Sequence, residues 1–266
     1  MKSILKYPGS KWRIAKWIVA QMPEHHSYLE PFFGSGAVLF NKKPSDIETV
    51  NDLDNRVYTL FKVIREQPET LARMIFSIPY SRYEYDLAFK EVPENEIEIA
   101  VQLLIQCWQG HGFRTNGYKV GWKNDVQGRE KAYALLNWNR LPGWIMDAAK
   151  RLKQVQIEHM PAVELIKRFR YPNGLIYADP PYVLDTRSGK QYKHEMSDKD
   201  HIKLLEILLQ HPGPVMLSGY NSDLYNETLK GWTRLKTKSN AEGGNIRTEV
   251  LWMNFQPVYQ LKFNVI

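Results

Sequence analysis

The stretch Leu175-Ile176-Tyr177-Ala178-Asp179-Pro180-Pro181-Tyr182 joins an apolar run to an acid, two prolines and an aromatic residue. We predict that the apolar run forms a buried strand and that the prolines end it, because each proline fixes φ and removes a backbone donor. The turn then leaves a carboxylate, a free carbonyl and a flat ring at the carboxyl end of a sheet, where open α/β folds bind ligands. These three groups suit a planar base with an exocyclic amino group.

A second signal lies nearer the N-terminus, where Tyr28-Leu29-Glu30 is predicted to end a strand. It continues as Pro31-Phe32-Phe33-Gly34-Ser35-Gly36 and then as the helix-like Ala37–Phe40. Glycines at such a turn let a ligand approach the backbone closely. Asp52 follows Gly34 by 18 residues, at the end of the next predicted strand. An acid at this distance holds the ribose in nucleotide-binding α/β folds, so the pair predicts a cofactor that contains adenosine.

The third signal is Tyr7-Pro8-Gly9-Ser10-Lys11, in which Pro-Gly predicts a turn. Lys11 is predicted to begin an amphipathic helix. The functional interpretation places Tyr7 on a flat ring and Lys11 on an anionic group, and the alternative is a surface turn with a solvated lysine.

The remaining pattern predicts an α/β fold with an insertion. The predicted later strands are Val155–Ile157, Leu175–Ala178, Val215–Ser218 and Glu249–Phe255. Ser197 and Asp200 resemble a capping box at the start of a helix. From about Ser77 to Lys153 the pattern changes to helical apolar stretches and a glycine-rich, basic and aromatic segment, which we interpret as a partner-binding loop or hairpin.

Composition restricts the class of protein. The chain has 266 residues, a net charge of +7 and a pI near 9.2, with 12% aromatic residues, which favours a polyanionic partner such as nucleic acid. Cys107 is the only cysteine, so disulfides and cysteine-based metal sites are excluded. The apolar sequence around Cys107 predicts a buried thiol. No apolar run is long enough to span a membrane and no signal peptide is visible, so we expect a cytosolic protein.

Together these motifs resemble the DNA adenine methylases of the Dam type, the D12 class or α group of amino-methyltransferases. The resemblance covers nearly the whole chain, in the order K-Y-P-G-S-K, E-P-F-F-G-S-G, N-D-L-D and D-P-P-Y. It implies a Rossmann-like methyltransferase sheet with helices on both faces, formed by residues 1–76 and 154–266. Residues 77–153 would be a mainly helical target-recognition insertion containing a hairpin. S-adenosylmethionine would be the methyl donor and N6 of adenine in double-stranded DNA the acceptor, without a metal.

The resemblance also assigns roles to single residues. The expected catalytic residues are Asp179, Pro180 and Tyr182, with the target base flipped out and stacked on Tyr182. The expected cofactor contacts are Tyr7, Lys11, Glu30, Phe32, Gly34, Gly36, Asp52 and Asp179. The expected DNA contacts in the insertion are Arg114, Asn116, Lys119, Trp122, Lys123 and Asn124. The family's acid and aromatic residue after the third strand are replaced here by His159-Met160-Pro161, so no contact to the adenine ring is assigned there.

Alternatives remain. Cytosine N4 poses the same chemical problem, although those enzymes more often carry serine in place of Asp179. A sequence-specific DNA-binding protein without catalysis is a second alternative. A nicotinamide oxidoreductase is disfavoured, because Leu39 replaces the third glycine of the dinucleotide motif. The recognition sequence, GATC or another, stays open, as does a separately acting restriction endonuclease; relatives commonly act as monomers.

Overall fold

A computed structural model describes residues 1–124, 133–186, 192–240 and 246–257. These residues contain a seven-stranded sheet. Its strands are β1 (Ser27–Glu30), β2 (Ile47–Asn51), β3 (Val155–Glu158), β4 (Gly174–Ala178), β5 (Val215–Tyr220), β6 (Thr233–Asn240) and β7 (Ile246–Met253). The strand order is β3-β2-β1-β4-β5-β7-β6, and β7 runs antiparallel to both of its neighbours.

The helices alternate with the strands and also form the insertion. They are α1 (Ala15–Val19), α2 (Asn55–Glu66), α3 (Pro68–Ser77), α4 (Arg82–Leu87), α5 (Glu96–Gln109), α6 (Tyr133–Leu152), α7 (Ala162–Arg168), α8 (Asp198–Leu209) and α9 (Asp223–Thr228). The predicted capping box is present at α8, where Ser197 and Asp200 bond reciprocally. Among the described helices, none is long and apolar enough to cross a bilayer.

Both faces of the sheet are covered, because alternate strand residues enter two different apolar cores. Tyr28 and Tyr177 pack in the larger core with α2, α3, α5 and α6. Leu29 and Ile176 pack on the opposite face with α7, α8 and α9. All residues of β1 and β4 are therefore buried, as expected for parallel strands covered by helices on both faces. The predicted α/β fold with helices on both faces is confirmed.

Four local features of the structure differ from the sequence analysis. Helix α1 begins at Ala15 rather than at Lys11. The helix expected over Ala37–Phe40 is a single 3-10 turn, Leu39–Asn41, which ends where Lys42 becomes extended (φ −91°, ψ 159°). The last predicted strand begins at Ile246 rather than Glu249. Edge strand β6 was not predicted, since its alternating lysines resemble a solvated loop although lysine is common on sheet edges.

The larger core continues from the sheet into the insertion, since it contains both Leu60 of α2 and Leu104 of α5. Buried Glu48 on β2 pairs with Lys42 at 2.6 Å and with Arg151 of α6. The insertion's helices therefore pack on the sheet's own helices. The domain boundaries stay a prediction.

Candidate active site

The carboxyl ends of β1, β2 and β4 lie beside the N-terminal turn and enclose a cavity of about 500 Å³. Parallel strands place their carboxyl ends at one edge, and the strand order reverses between β1 and β4, where such sheets bind ligands. The predicted residues that line the cavity are Tyr7, Lys11, Glu30, Phe32, Gly34, Asp52, Asp179 and Pro180. Gly36 and Tyr182 are not among the lining residues. Pro161, where the sequence analysis assigned no contact, and its neighbour Ala162 also line the cavity.

The glycine turn and the acid predicted for a ribose are directly connected. The Gly34 backbone N–H donates to Asp52 Oδ2 at 2.7 Å, and the Asp54 N–H donates to Oδ1 at 2.9 Å. Gly34 has φ +48°, and a Cβ there would lie 3.2 Å from the Tyr7 ring. Burial raises the pKa of Asp52 to about 6. These contacts fix the carboxylate against the turn at the cavity wall.

Asn51, to which the sequence analysis assigned no role, joins three strand ends. Its Nδ2 donates to the carbonyls of Pro31 at 2.9 Å and Met160 at 3.0 Å, and its Oδ1 accepts from the Met160 N–H at 2.9 Å. Because these groups follow β1 and β3, the amide holds the two segments at a fixed separation from β2. Its position immediately before Asp52 was the sequence feature that could have indicated a role at the site.

Asp179 and Lys11 form a buried ion pair. Lys11 Nζ lies 2.9 Å from Asp179 Oδ2 and also donates to the Gly9 carbonyl at 2.7 Å. Asp179 Oδ1 is buried and accepts no hydrogen bond from any residue that the structure describes. Burial raises the pKa of Asp179 to about 6, against the lowering effect of Lys11. One carboxylate oxygen is thus held in place and the other is available as an acceptor.

Glu30 lies at the end of β1 and is almost fully buried. Its Oε2 accepts from the Tyr28 hydroxyl at 2.8 Å and from the Leu39 N–H at 3.2 Å. Burial raises its pKa to about 8, which favours the neutral, protonated carboxyl group. Glu30 therefore adds little negative charge to the cavity in this state.

Tyr182 is buried, with 8% of its surface exposed. Its hydroxyl donates to Glu249 Oε2 at 2.6 Å. Its ring centroid lies 4.5 Å from that of Tyr220 and 4.8 Å from Lys11 Nζ. Sequence reasoning assigned no role to Glu249, although an acid within the apolar alternation of β7 was a detectable signal.

The predicted hairpin is present in the insertion. Backbone bonds join His111 N–H to the Gly121 carbonyl at 2.9 Å and Lys123 N–H to the Gln109 carbonyl at 2.7 Å. Trp122 packs against Tyr80, with ring centroids 5.7 Å apart. These contacts hold the hairpin against the segment around α4.

The six predicted DNA contacts differ in exposure. Arg114, Asn116, Lys119 and Asn124 are exposed, whereas Trp122 and Lys123 are half-buried. Lys119 forms an ion pair with Asp86 at 2.5 Å. Thr115, between two of the exposed residues, accepts from the Lys193 N–H at 2.8 Å, and Lys193 lines the cavity. The hairpin therefore contacts the cavity wall directly.

A comparison with known protein families shows which family has this sequence. Residues 7–242 match the model of the D12 class of N6 adenine-specific DNA methyltransferases. The chain belongs to this family. It is therefore an S-adenosylmethionine-dependent DNA methyltransferase, as the resemblance implied.

Comparisons with single proteins found the following similarities. The Type II methyltransferase M.MjaIII of Methanocaldococcus jannaschii is 25% identical over 295 residues, covering 96% of this methyltransferase and 99% of the relative. A putative RNA methyltransferase of Pyrococcus horikoshii has a TM-score of 0.41 at 11% identity, covering 96% of this chain and 86% of its own. A SAM-dependent methyltransferase of Agrobacterium tumefaciens has a TM-score of 0.38 at 12% identity, covering 92% and 60%.

Proposed function

We propose that this enzyme transfers a methyl group from S-adenosylmethionine to N6 of an adenine that is flipped out of duplex DNA at a specific site. The observation that carries the proposal is the buried Oδ1 of Asp179, which has no hydrogen-bond partner among the described residues and belongs, like Pro180, to the cavity lining. A buried acceptor without a donor is costly, so it indicates a position that a substrate N–H completes.

An exocyclic amine is a poor nucleophile because its lone pair is delocalised into the ring. Asp179 Oδ1 and the Pro180 carbonyl would each accept one of its two N–H groups and favour a tetrahedral nitrogen. They would also stabilise the positive charge that develops there, as preorganised acceptors do in an enclosed site. Lys11 holds Oδ2 at 2.9 Å and so keeps Oδ1 oriented. Asp179, with a pKa near 6, is suited to receive the proton that the amine loses.

The cavity fits the cofactor. Asp52 would accept from the ribose hydroxyls, and Gly34, which has no side chain, leaves room between the turn and the Tyr7 ring. Lys11, Glu30 and Phe32 would contact the remainder of the molecule. When bound, S-adenosylmethionine supplies an activated methyl group on a positively charged sulfur. Gly36 does not line the cavity; Phe33 and Phe40 pack where its Cβ would be, so we propose an indirect role for it in shaping the turn.

Flipping the base out of the duplex costs a few kcal/mol. Stacking on an aromatic ring is worth about 1–3 kcal/mol, and we propose Tyr182 for this role. Because its ring is only 8% exposed, binding must either uncover one face or use its exposed edge. Pro181, which lines the cavity, offers a second flat apolar surface beside it.

We propose that residues 77–153 form the target-recognition part and that residues 1–76 and 154–266 form the catalytic part. Arg114, Asn116 and Asn124 are exposed, in agreement with contacts to DNA. Lys119 already pairs with Asp86, so it would exchange this partner for a phosphate. The name of the Methanocaldococcus relative, a Type II methyltransferase, supports a type II restriction-modification setting. We propose that the enzyme acts there as a monomer, with a separate cognate endonuclease.

Methyl transfer to mixed-sequence duplex DNA tests the proposal. The enzyme is incubated with tritium-labelled S-adenosylmethionine, and the DNA is hydrolysed to find which base carries the label. Long-read modification mapping of DNA from expressing cells then gives the site. Label in N6-methyladenine at one sequence is the expected result. Label in N4-methylcytosine would establish the cytosine alternative, and DNA binding without label would establish the inactive one; either overturns the proposal.

A further inference from the structure

Glu249 is a buried acid outside the cavity that the proposed mechanism does not use. It lies on β7 opposite Tyr220 of β5 and is 7% exposed. A buried carboxylate is costly unless it is paired or hydrogen-bonded. Its Oε2 accepts a short hydrogen bond from the Tyr182 hydroxyl, at 2.6 Å. The strand thus places a second acid directly behind the Asp179–Tyr182 corner.

The geometry points to Glu249 as a positioning residue for methyl transfer, which acts by fixing Tyr182 and by offsetting the charge of Lys11. The inference rests on the proposed function of the Asp179 corner. It adds a residue from β7, which is 67 positions beyond Tyr182 in the chain.

The first part of the argument is mechanical. The Tyr182 ring has Lys11 Nζ at 4.8 Å from its centroid and the Tyr220 ring in an edge contact at 4.5 Å. The hydrogen bond to Glu249 adds a restraint at the hydroxyl end of the side chain, which these two ring contacts do not involve. Since Tyr182 is three residues from Asp179, its position limits the position of the whole turn.

The second part concerns charge. Lys11 and Asp179 carry opposite charges and form an ion pair, so these two groups alone have no net charge. Glu249 adds a second carboxylate, which gives the three groups one net negative charge. Although burial opposes it, Asp179 and then Glu249 raise the pKa of Lys11, so both acids act on the same ammonium group. Methylation places a positive charge on the amine, and a net negative site stabilises that charge better than a neutral one.

The test compares Glu249→Gln and Glu249→Ala with the matched control Glu227→Gln. Gln keeps an oxygen acceptor for Tyr182 and removes the charge, whereas Ala removes both. Glu227 is an exposed acid on α9, so its substitution makes the same change in net charge away from the corner. The single-turnover rate is measured at saturating cofactor and DNA, with the Kd of S-adenosylmethionine and the thermal midpoint of each variant.

We expect Glu249→Gln to lower the rate about tenfold and Glu249→Ala about 100-fold, the lower end of the loss when a contacting group is removed. Cofactor Kd should change much less than the rate, because Glu249 does not line the cavity. A Glu249→Gln rate equal to that of Glu227→Gln, or a loss explained by weaker cofactor binding, overturns the inference. If Glu249→Ala does not fold, Glu249→Gln decides alone. A wild-type enzyme that labels no adenine refutes the proposed function instead, so the two failures are distinguishable.

Discussion

Substitution of Asp179 by Asn tests the role of its free oxygen most directly. The shape of the side chain is kept, but its two ends become different. The Lys11 ammonium donates to Oδ2 at 2.9 Å, so the Asn oxygen must face Lys11 and the amide nitrogen must take the place of Oδ1. The variant therefore presents a donor to the target amine where the wild-type enzyme presents an acceptor.

The expected magnitudes follow from these contacts. Loss of one preorganised group costs about 10²–10³ in rate, and the inverted polarity places this variant at about 10³, or about 4 kcal/mol. Stability should fall by about 3 kcal/mol, the low end for breaking a buried ion pair, since the Asn oxygen still accepts from Lys11. Glu164→Gln is the control for stability: the Glu164–Lys167 pair has the same 2.9 Å separation but is about half exposed, so its loss should cost much less than the loss of the Asp179 pair.

The assay is single-turnover transfer of tritium from labelled S-adenosylmethionine to duplex DNA, with urea unfolding for stability. Cofactor and DNA binding are measured separately to show that the complex still forms. An Asp179→Asn rate within tenfold of wild type, in a complex that binds both substrates, would show that Oδ1 does not accept from the amine.

Three further outcomes are expected. The wild-type protein should lose stability as the pH rises from about 4.5 to about 8, because the Glu30 carboxyl group binds its proton more tightly in the native state than in the unfolded state. Glu30→Gln should reduce this loss, and urea unfolding at pH 6 and pH 8.5 checks this. Gly34→Ala should destabilise the protein more than Gly117→Ala. Both glycines have a positive φ, which costs about 1–2 kcal/mol for alanine, but only at Gly34 would the added Cβ have an aromatic ring within 4 Å. Equal melting curves for the two variants would contradict this. Arg114→Ala should weaken DNA binding and lower the salt slope by about one if it contacts a phosphate, and an unchanged slope in a salt titration would argue otherwise.

Most of the sheet could be predicted from the chain because its signals are local. A buried parallel strand is a short apolar run, and prolines or glycines mark where it ends. The Ser197 cap of α8 could likewise be predicted, since both partners lie within one helical turn. Edge strand β6 could not, because its pairing with β7 is decided by a distant segment and its own sequence is mostly polar.

The candidate site divides in the same way. The sequence by itself determined the family, the glycine turn, Asp52 and the Asp179–Tyr182 corner, because each is a contiguous motif whose residue types state its chemistry. Only the tertiary structure decided that Lys11 pairs with Asp179, that Tyr182 is buried against Glu249 and that Asn51 joins three strand ends. These contacts join residues far apart in the chain, and a hydrogen bond or ion pair depends on distances of about 3 Å that sequence spacing does not contain.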